Sequence, residues 1–295
     1  MGQAWQLIFP SELFTLPFMF HAFLSGTIVA ILAGLTGFFV ILRSSSFVAH
    51  VLPKAGFAGA AGAVLLDMNA IVGLIVFAVA GALSIGFLGK SGRHDVVTAL
   101  TLVAALGSGA LFLTLNNNYA IGAYALLFGQ LVGVSINQVV QTALLGILCV
   151  LILGFLYRPL LFTSVMKDSA EARGVKSDRL EMAFLVVVGL VTAVTVPVVG
   201  ALLSFSLMVG PAATARYLTH RPINALICSV TISVLTVWIA LIMGYDTSWP
   251  IGFFVSTITA VLYGVVRVAT HRREHRSLRA DGESSVALDH AFSKE

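Results

Sequence analysis

Residues 70–89 read AIVGLIVFAVAGALSIGFLG. Twenty residues pass without a charge, an amide side chain or a proline. At 1.5 Å per residue a helix of this length reaches about 30 Å, the thickness of a bilayer's hydrocarbon core. Backbone groups in lipid have no water to bond, so a long apolar run of this kind closes its hydrogen bonds internally as a helix. Asp67 stands just before the stretch and Lys90 just after it.

The same pattern recurs outward in both directions. The chain of 295 residues is 58% hydrophobic and 10% charged, where a soluble chain carries about 25% charged residues. Candidate spans cover 19–42, 48–66, 70–89, 96–115, 138–157, 180–197, 199–215, 222–243 and 250–268. No run of alternating ten-residue strands suggests a β-barrel. The fold class is therefore all-α: a polytopic transmembrane helical bundle. A tenth apolar stretch, 119–135, is short and contains Gly122, Gly129, Gln130 and Gly133.

Charge placement sorts the ends of these spans. Arg43, Lys90, Arg93, Arg158, Lys167, Arg173, Lys176, Arg179, Arg216, Arg221 and Arg267 fall in alternate connections or at their edges. The connections around Asp67, Asn116 to Asn118, Pro197 and Asp246 contain no Lys or Arg. The two sets alternate only if 119–135 does not cross and is instead a re-entrant or interfacial segment on the outer side. Nine crossings follow, with the N-terminus outside and the C-terminus in the cytoplasm. The transmembrane domain spans 1–269. Residues 270–295 are polar and charged, and their composition predicts a disordered cytoplasmic tail with basic groups near anionic lipid headgroups.

The second span carries the most unusual residues. His50 and Lys54 are four apart and share a helix face; Ala55, Gly59 and Ala63 make a small-residue face suited to close helix approach. If the helix begins near Ser46, Lys54 lies about 12 Å along it. Lys54 is the one Lys or Arg away from a basic end, where a charge costs about 2.5–3.5 kcal/mol on insertion scales. Two readings compete: a cation that lines or gates a pathway, or a side chain that snorkels to the interface. His50 is a pathway candidate or a packed, hydrogen-bonded histidine.

Other polar features fall into place around these. The loop Met166 to Val175 encodes a short polar helix that Asp168 or Ser169 could cap and Gly174 could end. It suits docking of a soluble partner, and equally a solvated linker. In the seventh span, Gly210-Pro211 predicts a break or kink, and Ser204, Ser206 and Met208 offer polar or soft groups to a pathway. Asp95 fits the start of a helix. His21 reads as structural, and Asp67 and Asp246 as solvated near outer ends. Cys149 and Cys228 sit inside apolar spans as inert thiols. The sequence contains no glycine-rich phosphate loop, no His-Glu-x-x-His, no nucleophile elbow and no cysteine pair with metal spacing. ATP and nucleic acid are thereby excluded as ligands of this chain.

Three stretches together resemble the membrane subunit of the ABC-3 family of zinc and manganese importers. They are Asp168-Ser169-Ala170-Glu171-Ala172-Arg173-Gly174-Val175, then Val198 to Arg216 with Val199-Gly200-Ala201-Leu202-Leu203 and Pro211-Ala212-Ala213-Thr214-Ala215-Arg216, and Phe38 to Arg43 followed by Phe47 and the small-residue helix. Asp95, Phe128-Gly129 and Val134-Ser135 also fall at similar positions. The resemblance implies a permease of a bacterial plasma membrane importer, a homodimer with the pathway at its interface. It implies a cytoplasmic ABC ATPase docking on Asp168, Ser169, Ala170, Glu171, Ala172 and Gly174, and an extracytoplasmic solute-binding protein. The cargo would be Zn2+ or Mn2+, with no cofactor bound by the chain and no catalytic site.

One departure stands out. The family carries an Asp and, four residues later, a His in its second span, resembling ligands of the translocation path. Here those positions hold His50 and Lys54. A neutral imidazole can bind a transition metal, so His50 is the tentative metal ligand. A charged ammonium repels a dication by roughly 6–7 kcal/mol at about 5 Å and an effective dielectric near 20. Lys54 is thus deprotonated by burial, or gates the path, or accompanies a different cargo such as a metal chelate. An intramembrane enzyme is the more distant alternative; it would need converging ionisable groups within spans, and too few exist.

Overall fold

The computed structural model describes residues 17–89, 94–115, 126–129, 133–219 and 221–292, with side chains described as far as Arg272. Ten helices follow in order: α1 (Pro17–Leu42), α2 (Ser46–Leu65), α3 (Ala70–Leu88), α4 (His94–Leu115), α5 (Ile136–Val165), α6 (Lys167–Ala172), α7 (Ser177–Val199), α8 (Ser204–Leu218), α9 (Pro222–Thr247) and α10 (Ile251–Phe292). Eight of them are long and apolar enough to cross a membrane. Among the described residues this is one fewer than the nine crossings expected: α8, at 15 residues, is about 22 Å long and is not among the eight.

The helix ends gather at two poles. Ser44, Ser46, Val165, Arg216, Thr219, Pro222 and Thr270 surround one cleft, and Arg43, Gly89, His94, Asp178 and Glu181 a second. Both lie at the end that carries the basic residues. At the opposite pole, Leu113 of α4 packs with Ala70, Ala201, Leu126 and Leu127, and Val134 lies with Ile71, Pro197 and Val198. α4 therefore ends, and α5 begins, at the same pole, so the chain between them leaves and returns on one side. Most of 119–135 lies outside the described residues. The portion 126–129 includes a helical turn, and Gly129 has φ +82°.

That turn explains why α8 starts later than its apolar stretch suggests. Gly200 has φ +95° and ends α7, so residues 201–203 form a turn. The Ala201 and Leu202 amides donate to the Leu126 and Leu127 carbonyls at 2.9 and 3.2 Å. Irregular backbone at membrane depth is tolerated where protein satisfies it, and these bonds do so. Of the break or kink expected at Gly210-Pro211, the break is absent: α8 runs continuously through Pro211. Two other boundaries also differ from the sequence expectation. α5 continues eight residues beyond 157 through Pro159. α10 stays helical in its backbone past residue 270, where the composition turns polar.

α1, α2 and α7 form the interior. Within the most apolar window, 78% of α2 is buried, against 17% of α4 and α10. Lipid is as apolar as leucine, so helices gain by close van der Waals fit at small residues. The face Ala55, Gly59 and Ala63 packs on α3: a side chain at Gly73 would strike the Gly59 carbonyl, and one at Gly81 would touch Ala55 at 3.4 Å. Gly37 of α1 lies against the Met208 carbonyl of α8. Polar groups tie α9 to α1: the buried Ser229 Oγ donates to the Gly34 carbonyl at 2.9 Å, and the more exposed Trp238 Nε1 to Thr27 Oγ1 at 2.9 Å.

Gly37→Ala and Gly59→Ala are expected to destabilise the protein by about 1–3 kcal/mol, the usual cost of overpacking. At Gly154 and Gly264 the space that a methyl group would take is open, with nothing within 4 Å. Alanine there should be neutral or gain up to about 1 kcal/mol from helix propensity. Thermal unfolding of the four variants in one detergent checks the contrast.

Candidate translocation site

α2 owes its helical start to Ser46 following a tight turn, in which Ser44 takes φ +54°, and it carries Pro53 inside it. From Val48 to Ala63 every residue of α2 is buried except two, His50 and Lys54. The most enclosed helix of the bundle thus has one window, and both of its ionisable residues occupy it. The predicted four-residue spacing brings their side chains together: Lys54 Nζ is in hydrogen-bond contact with His50 Nε2. The His50 ring also stands edge-on to Phe205 of α8, centroids 4.9 Å apart. Phe205 in turn lines an open groove of about 360 Å³ with Ser206, Val209, Gly210 and Tyr263. Sequence reading did not single out Phe205, because nothing in its local pattern marks it; only the packing of α8 on α2 does.

Ser204 and Met208 are placed differently. Ser204 is buried, and its Oγ donates to the Gly200 carbonyl at 2.7 Å, closing the first turn of α8. Met208 is fully buried in the core between α1 and α8. Neither reaches the window in this conformation. Ser206, half-buried, does face the groove.

At the basic pole, Arg43 is the central cation. Its Nη1 donates to Thr163 Oγ1 at 3.1 Å and Ser164 Oγ at 3.2 Å, tying the end of α1 to the last turn of α5. Its guanidinium also sits 5.7 Å from the Phe184 ring centroid. Burial lowers its pKa from the ordinary arginine value, and the nearby Glu181 carboxylate opposes that shift. His94 and Glu181 approach to 3.4 Å and link α4 to α7. With Asp95 and Asp178 they line a cleft of about 400 Å³.

α6 projects beside this pole. Asp168, Ser169, Glu171, Ala172 and Gly174 are exposed, while Ala170 is buried. The expected cap from Asp168 or Ser169 is not formed. Met166 occupies that position and gives no side-chain bond, leaving Asp168 in the first turn, where its charge still complements the helix dipole. The other end is as expected: Gly174 takes φ +81°, its amide donates to the Glu171 carbonyl at 2.9 Å, and Val175 closes on Ala170 at 3.1 Å. Arg173 stacks its guanidinium 5.5 Å from the Phe162 ring and pins α6 to α5. Among the described residues no group of three or more His, Cys, Asp or Glu side chains is arranged to hold a metal.

A nearly all-buried helix with one polar window, a broken span at Gly200 and a short exposed helix at the basic pole accord with a family match over residues 15–270, the ABC 3 transport family. The chain belongs to that family. Its members are membrane transport proteins, and this chain is one of them. It is 24% identical over 259 residues to the manganese transport system membrane protein MntC of Listeria monocytogenes, covering 87% of this chain and 92% of that one. It is also 24% identical over 234 residues to the high-affinity zinc uptake system membrane protein ZnuB of Haemophilus influenzae, covering 78% and 90%. Among solved structures, PsaBC from Streptococcus pneumoniae in complex with Fab superposes with a TM-score of 0.79 at 23% identity, over 87% of this chain and 93% of that one. The fold is therefore shared along almost the whole membrane domain.

Lys54 places an ionisable amine inside a membrane helix, and no described acidic group forms an ion pair with it. Lys54→Met should stabilise the bilayer-embedded protein, by on the order of 1–3 kcal/mol, while lowering transport. Chemical denaturation in bicelles checks the first part. A destabilised variant would mean that the ammonium is satisfied by a partner and does not stand uncompensated.

Proposed function

We propose that this chain is the permease subunit of an ATP-driven importer of divalent metal ions, zinc or manganese. The observation that carries the reading is the single polar window in α2, His50 and Lys54, within a chain matched to the ABC 3 family from end to end of its membrane domain. The window opens on the outer surface of the protomer, which fits a pathway at the interface of a homodimer. His50 and Lys54, with the Phe205 wall, form the pathway site. Ser204 and Met208, one turn apart on α8, hold that wall in place.

The exposed face of α6 receives a separate cytoplasmic ATPase. Asp168, Ser169, Glu171, Ala172 and Gly174 form the docking surface, with Ala170 as its root in the bundle. A rigid path leads inward from it: α6 is pinned to α5 by Arg173, and α5 is tied to α1 by Arg43. ATP-driven movement of α6 would in this way reach the start of α2. An extracytoplasmic binding protein delivers cargo at the opposite pole, beside the 126–129 and 201–203 turns. The basic pole faces the cytoplasm of a bacterial plasma membrane, with residues 270–295 as a cytoplasmic tail, as the placement of Arg43, Arg216 and Arg221 supports.

Glu171→Trp places bulk on the exposed face of α6 without entering the core. It is expected to cut ATP-dependent uptake more than tenfold while the permease still folds and inserts, as judged by size-exclusion profile and melting temperature. Unchanged uptake would remove α6 as the docking element. Uptake of zinc, manganese and iron by the reconstituted complex, wild type against Lys54→His, tests the cargo: ATP-driven uptake of zinc or manganese by the wild type is expected.

A further inference from the structure

The cleft of about 830 Å³ at the basic pole stands apart from the window in α2: neither His50 nor Lys54 lines it. Its polar wall comes from remote parts of the chain. Ser44 and Ser46 lie where α1 gives way to α2, Arg216 ends α8, Thr219 precedes α9, and Tyr263 and Thr270 belong to α10. Arg216 is the one charged residue of the lining, and no acidic side chain contributes to it. It is exposed, and among the described residues no carboxylate pairs with it. The neighbouring cleft at the same pole carries Asp95, Asp178 and Glu181, so the positive sign of the first belongs to that cleft and not to the pole as a whole.

Depth and shape decide what can reach Arg216. The apolar span of α1 ends at Leu42, those of α2 and α9 begin at Ser46 and Pro222, and that of α10 runs to Arg272. The cleft is therefore set where hydrocarbon gives way to headgroups. Tyr217 and Tyr263 meet edge-on there, ring centroids 5.8 Å apart, and tyrosine is enriched at that level of a membrane. Ile41, Ala213 and Tyr263 line both this cleft and the groove of about 360 Å³ between α8 and α10, so the two spaces adjoin. One is cationic and hydroxylated, the other mainly apolar. A soluble anion uses only the first; a phosphate that carries a hydrocarbon chain matches both.

We propose that the cleft binds one anionic phospholipid, its phosphate against Arg216 and an acyl chain in the adjoining groove. Basic pockets between helices on the cytoplasmic side suit such headgroups. A guanidinium offers phosphate paired, charge-assisted bonds, and the hydroxyls of Ser44, Ser46 and Thr219 add donors. Thr219 Oγ1 accepts from the Arg221 amide at 3.3 Å, which leaves its O–H free to donate. The site needs only the membrane fold, and neither the cargo nor the ATPase.

The full-length chain in neutral detergent is titrated with phosphatidylglycerol or phosphatidylcholine, and bound lipid is counted by native mass spectrometry on monomer and dimer separately. One phosphatidylglycerol is expected to bind in preference to phosphatidylcholine. R216K keeps the charge and the lipid; R216Q weakens binding about tenfold, as loss of a charge-assisted contact should. R221Q alters an exposed arginine that does not line the cleft and leaves binding unchanged, and all variants share one melting profile without lipid. Inorganic phosphate at the same concentration does not displace the lipid, because it gains nothing from the groove. Equal binding of the two lipids, full binding by R216Q, or an equal loss in R221Q overturns the site. Displacement by inorganic phosphate makes it a free-anion site, and lipid held by the monomer alone makes it a surface covered by a second copy; either result overturns the lipid assignment.

Discussion

The structure depends on how closely α2 can lie against its neighbours. Gly59 and Gly73 bring the backbones of α2 and α3 into contact, Gly109 lets α4 approach Ala58, and Ala55 and Ala63 complete the face. In lipid there is no hydrophobic gain in pairing one apolar helix with another, so association rests on this close fit. Once α2 is enclosed on the α3, α4 and α7 sides, its remaining face toward α8 is the only place where polar residues can sit without being sealed in. His50 and Lys54 occupy that place, and the character of the site follows from the packing of small residues elsewhere on the same helix.

The two poles of the bundle solve different problems. At the opposite pole, the chain turns sharply at Gly200 and again at Gly129, two glycines in left-handed conformations whose backbones meet. The amides freed there are taken up by the turn at 126–127, so an irregular stretch survives beside the hydrocarbon. At the basic pole, polar side chains replace backbone contacts. Arg43 reaches α5, His94 reaches Glu181, and Arg173 fastens α6 to the last turns of α5. These ties join the exposed helix α6 to the helix that precedes the window.

The His50–Lys54 pair is where this chain departs from the pattern that its family resemblance implies. A lysine in contact with an imidazole makes a different surface from a carboxylate beside an imidazole, although both pairs occupy the same turn of the same helix. The similarity to MntC and ZnuB runs along the whole membrane domain at about a quarter of positions. A common bundle can therefore hold different chemistry at its window, since the glycine contacts that build the helix do not involve the two residues that face out of it.

Several features were legible in the residues themselves. Length and apolarity of stretches such as 70–89 determined the helical class, because a backbone in lipid has no other way to close its hydrogen bonds. Alternation of basic connections determined which ends lie together, and required the 119–135 segment to return to its starting side. A spacing of four put His50 beside Lys54, and Ala55, Gly59 and Ala63 on one face, since a helix fixes local neighbours by its pitch alone. Only the tertiary structure decided the rest. It moved the start of α8 from 199 to Ser204, because the bonds that stabilise the turn come from residues 126 and 127, over seventy positions away. It buried Ser204 and Met208, set Phe205 against His50 and brought Arg43 to Thr163, all contacts between helices distant in sequence. The pattern along one helix carries no information about which face a remote helix will cover, and that choice decides which polar residues become a site.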